Sequence, residues 1–434
     1  MRRWLNPLAI YVEPRVLAIL FLGFSSGLPL ALTGQTLAVW MREQGVSLAT
    51  IGLFSLVGLP YVLKFLWAPL FDQVSLPLLG RFGRRRGWLL ATQGALMLAV
   101  VGFGLGNPPA RPWLAALLAS LVAFCSASQD VMIDAFRVES LTLSRQAAGM
   151  ANYVAGYRVA MLISTAGVFE ITSRLQDAGL QGSRGWSATY AIMAALVLVG
   201  AVTILFSTEP EATLPPPREK GSAPPRAERL RAALIDPFAD FIRRPGWRAI
   251  LCFIVLYKLA DALAGVMTAP FVLDIGFDKV VFGRVVKIFG FAATLAGLYA
   301  GGALFRFLGT RKSLWLGGIA QAASGLLFVW QAQAGAKLWL LILTIGSENF
   351  TSGLGTVIFV AYLSGLCRNR AYTATQYALL SALAAVGRTL LAAPAGLLAH
   401  ALGWSGFFLC ASAGGLPGLA LLWWLSRARV AGLD

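Results

Sequence analysis

Two acidic side chains near the end of an apolar run are the residues of this chain best suited to chemistry. They belong to the segment 126–134, Ser-Ala-Ser-Gln-Asp-Val-Met-Ile-Asp, which follows an apolar stretch that begins at Trp113. Ser126, Asp130 and Asp134 are four residues apart and share one face of a helix. A carboxylate inside a bilayer is costly, so it normally faces a wet cavity on the path of an ion or substrate. We therefore predict proton binding at Asp130 and Asp134; an alternative for Asp134 is a position at the membrane surface.

Further charged residues interrupt the apolar runs in both halves of the chain. They are Lys64, Arg158, Lys258, Asp261, Lys287, Glu348 and Arg388. At a rise of about 1.5 Å per residue, Arg158, Lys258 and Glu348 lie about 15 Å into their runs, near the middle of a core about 30 Å thick. We expect these three to contact a ligand or to pair across the two halves. For Lys258, an alternative is simple neutralisation by Asp261, three residues further on.

Amide, hydroxyl and aromatic side chains accompany these charges, and the mixture suits a polar, partly zwitterionic ligand. Rings such as those of Tyr153 and Tyr157 are of the kind that stack on sugars. The residues predicted to bind the ligand are Lys64, Gln129, Tyr153, Tyr157, Arg158, Tyr257, Lys258, Asn349, Gln376, Tyr377 and Arg388. Those predicted to couple protons are Asp130, Asp134, Asp261 and Glu348.

The elements that must position these residues are membrane-spanning helices. The chain is 58% hydrophobic and only 13% charged, the composition of an integral membrane protein. Runs of about 20 apolar residues predict twelve spans. They lie near 16–40, 50–70, 88–106, 113–135, 149–170, 187–206, 249–273, 281–306, 313–333, 338–361, 372–399 and 404–425.

The net charge of +17 could indicate nucleic-acid binding, but the predicted topology explains it. Most of the 36 Lys and Arg fall on one side of the membrane, in the alternate loops that share a side with the N-terminus. This is the positive-inside pattern, so we predict a multi-pass inner-membrane protein with both termini in the cytoplasm. No nucleic-acid partner is required.

A segment rich in proline and charge divides the chain. It predicts an N-terminal six-helix bundle (1–206), a cytoplasmic linker (207–247) and a C-terminal six-helix bundle (248–434). Within the linker, apolar residues from Leu230 to Ile242 recur near helical spacing among arginines and predict an amphipathic surface helix. Two six-span halves are the arrangement of major facilitator transporters, whose halves rock about a site near the bilayer midplane.

The loop after the second predicted span supports this fold class, an all-α membrane protein of the major facilitator type. Asp72 and the run Gly83-Arg84-Arg85-Arg86-Gly87 resemble the acidic and basic parts of that superfamily's signature between spans two and three. The spacing is looser, because residues 73–82 lie between the two parts. We predict that Asp72, Arg84, Arg85 and Arg86 form a gate that rearranges during transport.

Enzyme motifs find little support. Gly23 to Gly27 matches G-x-S-x-G but lies in an apolar helix, and the histidine that a serine nucleophile needs could only be His400. No G-x-x-x-x-G-K-[ST] motif is present, so energy must come from a gradient and not from a P-loop. The four cysteines lack metal-ligand spacing. We therefore expect no catalytic residue, no metal and no cofactor other than a proton gradient.

Seven longer blocks of sequence carry a more specific resemblance. They are Gly23 to Gly27, Ile51 to Gly58, Lys64 to Leu70, Phe82 to Thr92, Phe124 to Asp134, Tyr257 to Ala262 and Ala374 to Leu383. Together they resemble the AmpG family of muropeptide permeases over nearly the whole chain. Some members of that family carry additional membrane segments, whereas twelve spans are counted here.

The resemblance implies a Gram-negative inner-membrane importer of GlcNAc-anhydro-MurNAc and its peptide-bearing forms, driven by protons. Peptidoglycan recycling and induction of AmpC-type β-lactamase would follow, and a monomer in the lipid bilayer is expected. The rival hypotheses are a facilitator for another polar solute or a drug, and a membrane enzyme acting on lipid-linked sugars. A drug exporter should have a mostly apolar cavity, and an enzyme needs a catalytic constellation at a membrane face.

Overall fold

The computed structural model describes residues 9–46, 54–107, 110–210, 235–278, 281–367 and 369–428, and their regular structure is helical. The first bundle contains α1 (Pro14–Glu43), α2 (54–73), α3 (Arg84–Leu105), α4 (Pro112–Ser140), α5 (Leu143–Asp177) and α6 (Ser183–Phe206). A short helix α7 (235–242) follows. The second bundle contains α8 (Trp247–Asp274), α9 (282–308), α10 (310–334), α11 (Leu338–Leu366), α12 (373–402) and α13 (404–427).

The described helices can be counted as twelve spans, the number that the sequence predicts. Nine helical stretches in the described ranges are long and apolar enough to cross a bilayer. One of them, Arg284–Ala334, holds both α9 and α10, because Gly309 adopts φ 71° and ψ −179° and interrupts the helix there. Helix α2, built from short pieces, and helix α12 complete the set. The prediction of an all-α fold with two six-helix bundles is confirmed.

Glycines allow the helices within each bundle to pack with their backbones in contact. A Cβ built on Gly156 of α5 would lie 2.0 Å from the carbonyl oxygen of Leu20 on α1, and one on Gly23 would lie 2.2 Å from that of Tyr153. In the second bundle, a Cβ on Gly297 of α9 would lie 2.0 Å from the Phe350 oxygen on α11. The G-x-S-x-G glycine Gly23 therefore serves helix packing, since small residues are what let membrane helices approach.

We expect Gly156→Ala to lower the melting temperature of the purified protein by several degrees. The added methyl group must push α1 and α5 apart, and overpacking of this kind costs about 1–3 kcal/mol. Gly94→Ala in α3 is a matched control, because a Cβ there meets no atom within 4 Å. Thermal unfolding in detergent measures both changes. Equal melting temperatures for the two variants would contradict the close packing of α1 on α5.

The two bundles meet most closely at what we call the basic end, the end of the molecule at which α2 finishes and α3 begins. There α12 packs on α2 and α4, and α5 packs on the segment 290–334 and on α11. The Tyr11 hydroxyl donates to the carbonyl oxygen of Tyr299 on α9. Asn152 of α5 fixes the approach to α1 by donating to the carbonyl oxygens of Tyr11 (2.9 Å) and Val16 (3.0 Å). The basic end is therefore closed.

Helix α7 covers part of this end. Phe241 is buried against the bundle, and Arg244 donates to the carbonyl oxygen of Leu366 at the end of α11. Gln376 of α12 donates to Asp240 (2.7 Å) and to the carbonyl oxygen of Pro237 (3.2 Å). Partial burial opposes ionisation of Asp240, but hydrogen bonds from Gln376 and Arg244 outweigh it and hold the pKa of that carboxyl below its usual range. Of the predicted amphipathic helix, Leu230 and Leu234 lie outside the described residues.

Candidate functional site

Asp130 lies inside the first bundle, where α1, α2 and α5 converge on α4. The Ser26 hydroxyl of α1 lies 2.5 Å from Asp130 Oδ1 and 2.7 Å from the Tyr153 hydroxyl of α5. Lys64 of α2 is close enough to act electrostatically on the carboxylate, and so is Tyr157. The structure therefore brings four of the predicted site residues together: a carboxylate, a cation and two phenols.

Two further predicted ligand contacts lie near this cluster. Arg158 follows Tyr157 on α5 and its side chain is exposed, with Tyr157 as its electrostatic neighbour. Gln129 precedes Asp130 on α4, is fully buried, and neither amide atom has a hydrogen-bond partner among the described residues. Buried polar atoms normally have partners, so this amide retains hydrogen-bonding capacity for water or ligand.

A second charged cluster lies inside the other bundle. Helix α8 is broken at residues 257–258, which places Lys258 at the start of the half-helix Leu259–Asp274. Its ammonium lies 3.0 Å from Asp261 Oδ2, 3.3 Å from Thr356 Oγ1 and 3.5 Å from the carbonyl oxygen of Ser352. These partners belong to α8 and α11 of the same bundle. The ion pair with Asp261 agrees with the alternative interpretation of the spacing, in which the two residues neutralise each other. A ligand contact by Lys258 stays a prediction.

Glu348 of α11 belongs to the same cluster. It accepts a hydrogen bond from Asn349 Nδ2 at 2.8 Å, and Lys258 and Asp261 both act on it electrostatically. Asp261 and Glu348 line a small polar cavity between α8, α10, α11 and α13, together with Gln321 and Ser412. Gln321 Nε2 and Ser412 Oγ are buried and lack hydrogen-bond partners within the described ranges. The two carboxylates therefore share a small cavity inside the second bundle, and the Lys258 ammonium is paired with one of them.

Three of the aromatic and amide residues predicted to bind ligand lie in packing contacts. Tyr257 is buried, donates to the carbonyl oxygen of Leu314 (2.8 Å) and stacks on Phe359. Tyr377 and Gln376 are buried at the basic end, where Gln376 contacts α7. The structure thus does not bring these three to the Asp130 cluster. The side chain of Arg388 lies outside the part of the chain that the structure describes.

Asp72 links the two bundles at the basic end. It lies in the last turn of α2, is 4% exposed, and accepts hydrogen bonds from the backbone N–H groups of Ala374 (3.2 Å) and Thr375 (2.9 Å) and from Thr375 Oγ1 (2.8 Å). These are the first N–H groups of α12, which have no acceptor within their own helix. A carboxylate at this position also interacts favourably with the helix dipole. A residue of the first bundle therefore caps a helix of the second.

Arg85 holds this carboxylate in place. Its guanidinium lies 2.7 Å from Asp72 Oδ1 and 2.5 Å from Glu139 Oε1, and the side chain is only 1% exposed. Arg84 donates to the carbonyl oxygen of Asp72 at 2.7 Å. A charge that is buried this deeply is stable only when it is paired. Two of the predicted gating arginines thus hold the residue that caps α12, and Glu139 is a further member that the sequence interpretation missed.

Glu209 is a second residue of this network that the sequence interpretation did not predict. Its carboxylate accepts the backbone N–H groups of Arg85 (2.8 Å) and Arg86 (3.0 Å), and so caps α3. The side chain of Arg86 donates to the carbonyl oxygen of Ile204 at the end of α6. Gly83 precedes α3 with φ 106°, and a Cβ there would lie 2.3 Å from Glu209 Cδ. Glycine is therefore required at this position both by the backbone conformation and by the approach of Glu209.

Arg137 makes a third contact between the bundles. It is fully buried and donates to Gln146 (2.8 Å) and to Ser364 Oγ of α11 (3.1 Å). Its guanidinium lies over the Tyr377 ring and 3.5 Å from Asp134. Asp134 is 14% exposed and is paired at this interface. Asp134 is therefore held by Arg137 at the contact between the bundles, and it also acts electrostatically on Asp130 and Tyr153.

Two helical bundles with buried ionisable side chains, closed at one end by a charged network, define a membrane transporter of the secondary type. The sequence profile of the Major Facilitator Superfamily matches residues 19–347. The chain is 42% identical to the Anhydromuropeptide permease of Escherichia coli K12 over 96% of this chain and 80% of that protein. It is 32% identical to Putative transporter AmpG 4 of Rickettsia felis over 96% and 98%. The chain therefore belongs to the AmpG family of the Major Facilitator Superfamily.

Solved structures agree on the fold. FucP, a Major Facilitator Superfamily transporter in the outward conformation, superposes with a TM-score of 0.68 at 14% identity, covering 97% of this chain and 99% of FucP. The human organic anion transporter MFSD10 superposes with a TM-score of 0.61 at 18% identity, covering 95% and 99%. At sequence identities this low, the superpositions show a shared fold and nothing about function.

Proposed function

We propose that this chain is an inner-membrane permease that imports GlcNAc-anhydro-MurNAc and its peptide-bearing forms from the periplasm to the cytoplasm by proton symport. The observation that carries the proposal is the 42% identity, over 96% of the chain, to an E. coli protein named for this substrate class. The permease acts as a monomer in the lipid bilayer, without enzymatic activity and without a cofactor. Its activity would supply peptidoglycan recycling and the induction of AmpC β-lactamase.

The proposed orientation places the basic end in the cytoplasm. Arg84, Arg85 and Arg86 lie there, as do Arg145 and Arg244, and an excess of arginine marks cytoplasmic loops. Both chain termini are then cytoplasmic. The closed network around Asp72 becomes the inner gate, which must separate before substrate can leave toward the cytoplasm.

We assign proton coupling to Asp130. The carboxylate has both a hydroxyl partner, Ser26, and a cation, Lys64, that is not held in an ion pair among the described residues. A ligand that draws Lys64 away from Asp130 changes the proton affinity of the carboxylate, and coupling requires that each ligand alter the binding of the other. Asp261 and Glu348 are the alternative coupling pair, because they share a polar cavity in the second bundle.

The substrate is proposed to bind between the two charged clusters. Tyr153 and Tyr157 offer ring faces 6.0 Å apart beside Asp130, while Arg158 supplies an exposed cation for a carboxylate. From the second bundle, Lys258 and Asn349 are the proposed ligand contacts, at a predicted depth near the middle of the membrane. Sugar rings and peptide carboxylates are the groups that such aromatic and cationic side chains recognise.

Uptake of radiolabelled GlcNAc-anhydro-MurNAc into proteoliposomes tests the function. We expect accumulation above the external concentration when the vesicle interior is made alkaline, and only equilibration when a protonophore removes the gradient. Empty liposomes and an unrelated labelled sugar, fucose, are the controls. Fucose accumulation without muropeptide uptake would overturn the substrate, and accumulation that is insensitive to the protonophore would overturn proton symport.

A further inference from the structure

An apolar groove runs along the outer surface of the first bundle between α1 and α6. It has a volume of about 810 Å³, within the range of about 300–1,000 Å³ that is typical of small-molecule sites. Phe21 of α1 and Leu198 and Val202 of α6 line it with 40%, 46% and 48% of their surfaces exposed. Phe136 of α4, which is buried, forms its floor. The groove is thus an open, concave apolar surface on a membrane-spanning part of the protein.

The length and direction of the groove match one leaflet of a bilayer. Its lining on α6 extends from Ala195 to Phe206, a rise of about 16 Å at 1.5 Å per residue. Half of a hydrocarbon core of about 30 Å is about 15 Å. The groove therefore begins near the membrane midplane and ends at the basic end of the molecule.

At the basic end the lining becomes polar. Arg15, Ser140 and Thr208 line the apolar groove and also line an adjoining polar pocket, which contains Glu209 and Arg370. Ser140 Oγ is buried and has no hydrogen-bond partner among the described residues. The apolar groove thus opens into the polar pocket at the level expected for lipid headgroups.

The charges around the polar pocket favour an anion at Arg15. Arg15 is exposed and makes no ion pair with the residues that the structure describes. The nearby carboxylates are already compensated, because Glu139 pairs with Arg85, Glu13 pairs with Arg145 at 2.6 Å, and Glu209 accepts backbone N–H groups of α3. The positive charge of Arg15 therefore remains available to a phosphate group.

We propose that this groove binds one anionic phospholipid of the leaflet at the basic end, with an acyl chain between α1 and α6 and the phosphate at Arg15. The apolar length of one leaflet, the cation at its headgroup end and the unpartnered Ser140 hydroxyl all fit an amphiphile of this kind. The bound headgroup lies beside Glu139 and Glu209, the two carboxylates that hold Arg85.

Native mass spectrometry of the purified full-length protein tests the site. The protein is mixed in detergent with phosphatidylglycerol or with phosphatidylcholine of the same acyl chains, and bound lipid is counted at increasing concentration. We expect one phosphatidylglycerol to bind in preference to phosphatidylcholine. A basic residue near a membrane surface contributes about 1 kcal/mol to anionic lipid binding, so Arg15→Gln should weaken that preference about fivefold. Ala195→Trp, which fills the midplane end of the groove, should weaken binding of both lipids.

Two matched variants control for general effects. Arg311→Gln removes an exposed cation at the basic end of the other bundle, and Leu98→Trp adds bulk at an exposed position on α3 outside the groove. Both should bind phosphatidylglycerol as the wild type does. Equal binding of the two lipids by the wild type, retention of the full preference by Arg15→Gln, or equal losses in the control variants would each overturn the proposal.

Discussion

Asp130→Asn should abolish the accumulation of anhydro-muropeptide against its gradient while leaving exchange of substrate across the membrane. The amide keeps the shape of the side chain and can still accept the Ser26 hydroxyl, but it cannot bind and release a proton. Without that proton, substrate binding is no longer linked to the pH gradient. Proteoliposome uptake with an imposed gradient should fall to the equilibration level, and counterflow measured in the same vesicles should remain.

Asp134→Asn is the matched control for this experiment. It makes the same chemical change one helical turn away, where the carboxylate is paired with Arg137 and not with Ser26. We expect gradient-driven accumulation to survive in this variant. If Asp130→Asn accumulates substrate as well as the wild type, the coupling role passes to Asp261 and Glu348.

Asp72→Asn should shift the transporter toward a state that is open at the basic end. The change removes the ion pair with Arg85 and the charge that stabilises the start of α12. Hydrogen bonds to a charged group contribute about 1.5–3 kcal/mol, so a loss of about 2 kcal/mol would change the ratio of open to closed molecules about thirtyfold. Spin labels at Arg81 and Arg311, exposed at the basic ends of the two bundles, report this opening as a longer distance population.

The same labels distinguish the gate from a general loss of charge. Glu170→Gln disrupts an exposed pair with Arg174, which is worth little to stability, and should leave the distance distribution unchanged. Thr375→Val removes one of the three hydrogen bonds that α12 donates to Asp72 and should produce a smaller shift than Asp72→Asn. Identical distributions for Asp72→Asn and Glu170→Gln would show that the capping contact does not hold the gate.

The fold could be predicted from the sequence because helices that cross a bilayer need long apolar runs. These runs are required however the helices pack against one another. The breaks within the spans were less accessible. In α2 the pieces Leu59–Leu63 and Ala68–Gln73 each begin beside a proline, which is a visible signal. The break of α8 at residues 257–258 carries no glycine or proline. It coincides instead with contacts of Lys258 to α11, which only the folded chain supplies.

Only part of the network at the basic end could be predicted from the sequence, for a similar reason. Asp72 and Arg85 are 13 positions apart and belong to one local pattern, whereas Glu139 and Thr375 reach the same place from 54 and 303 positions away. The contact of Arg137 with α11 could not be predicted, because a cation near the end of a span looks the same in sequence whether it faces water or a partner. The position of a residue along its helix could be predicted, but the direction in which the side chains of Gln376 and Tyr257 point could not.

The capping of α12 by a residue of the other bundle has a consequence for how the proposed inner gate would open. When α2 moves away, the N–H groups of Ala374 and Thr375 lose their acceptor, and no carbonyl of their own helix can replace it. A buried N–H group without a hydrogen-bond acceptor is costly, so water must replace the carboxylate as it leaves. Separation of the bundles and hydration of the passage are then a single event, and the first turn of α12 becomes open to solvent exchange only in the molecules that can release substrate.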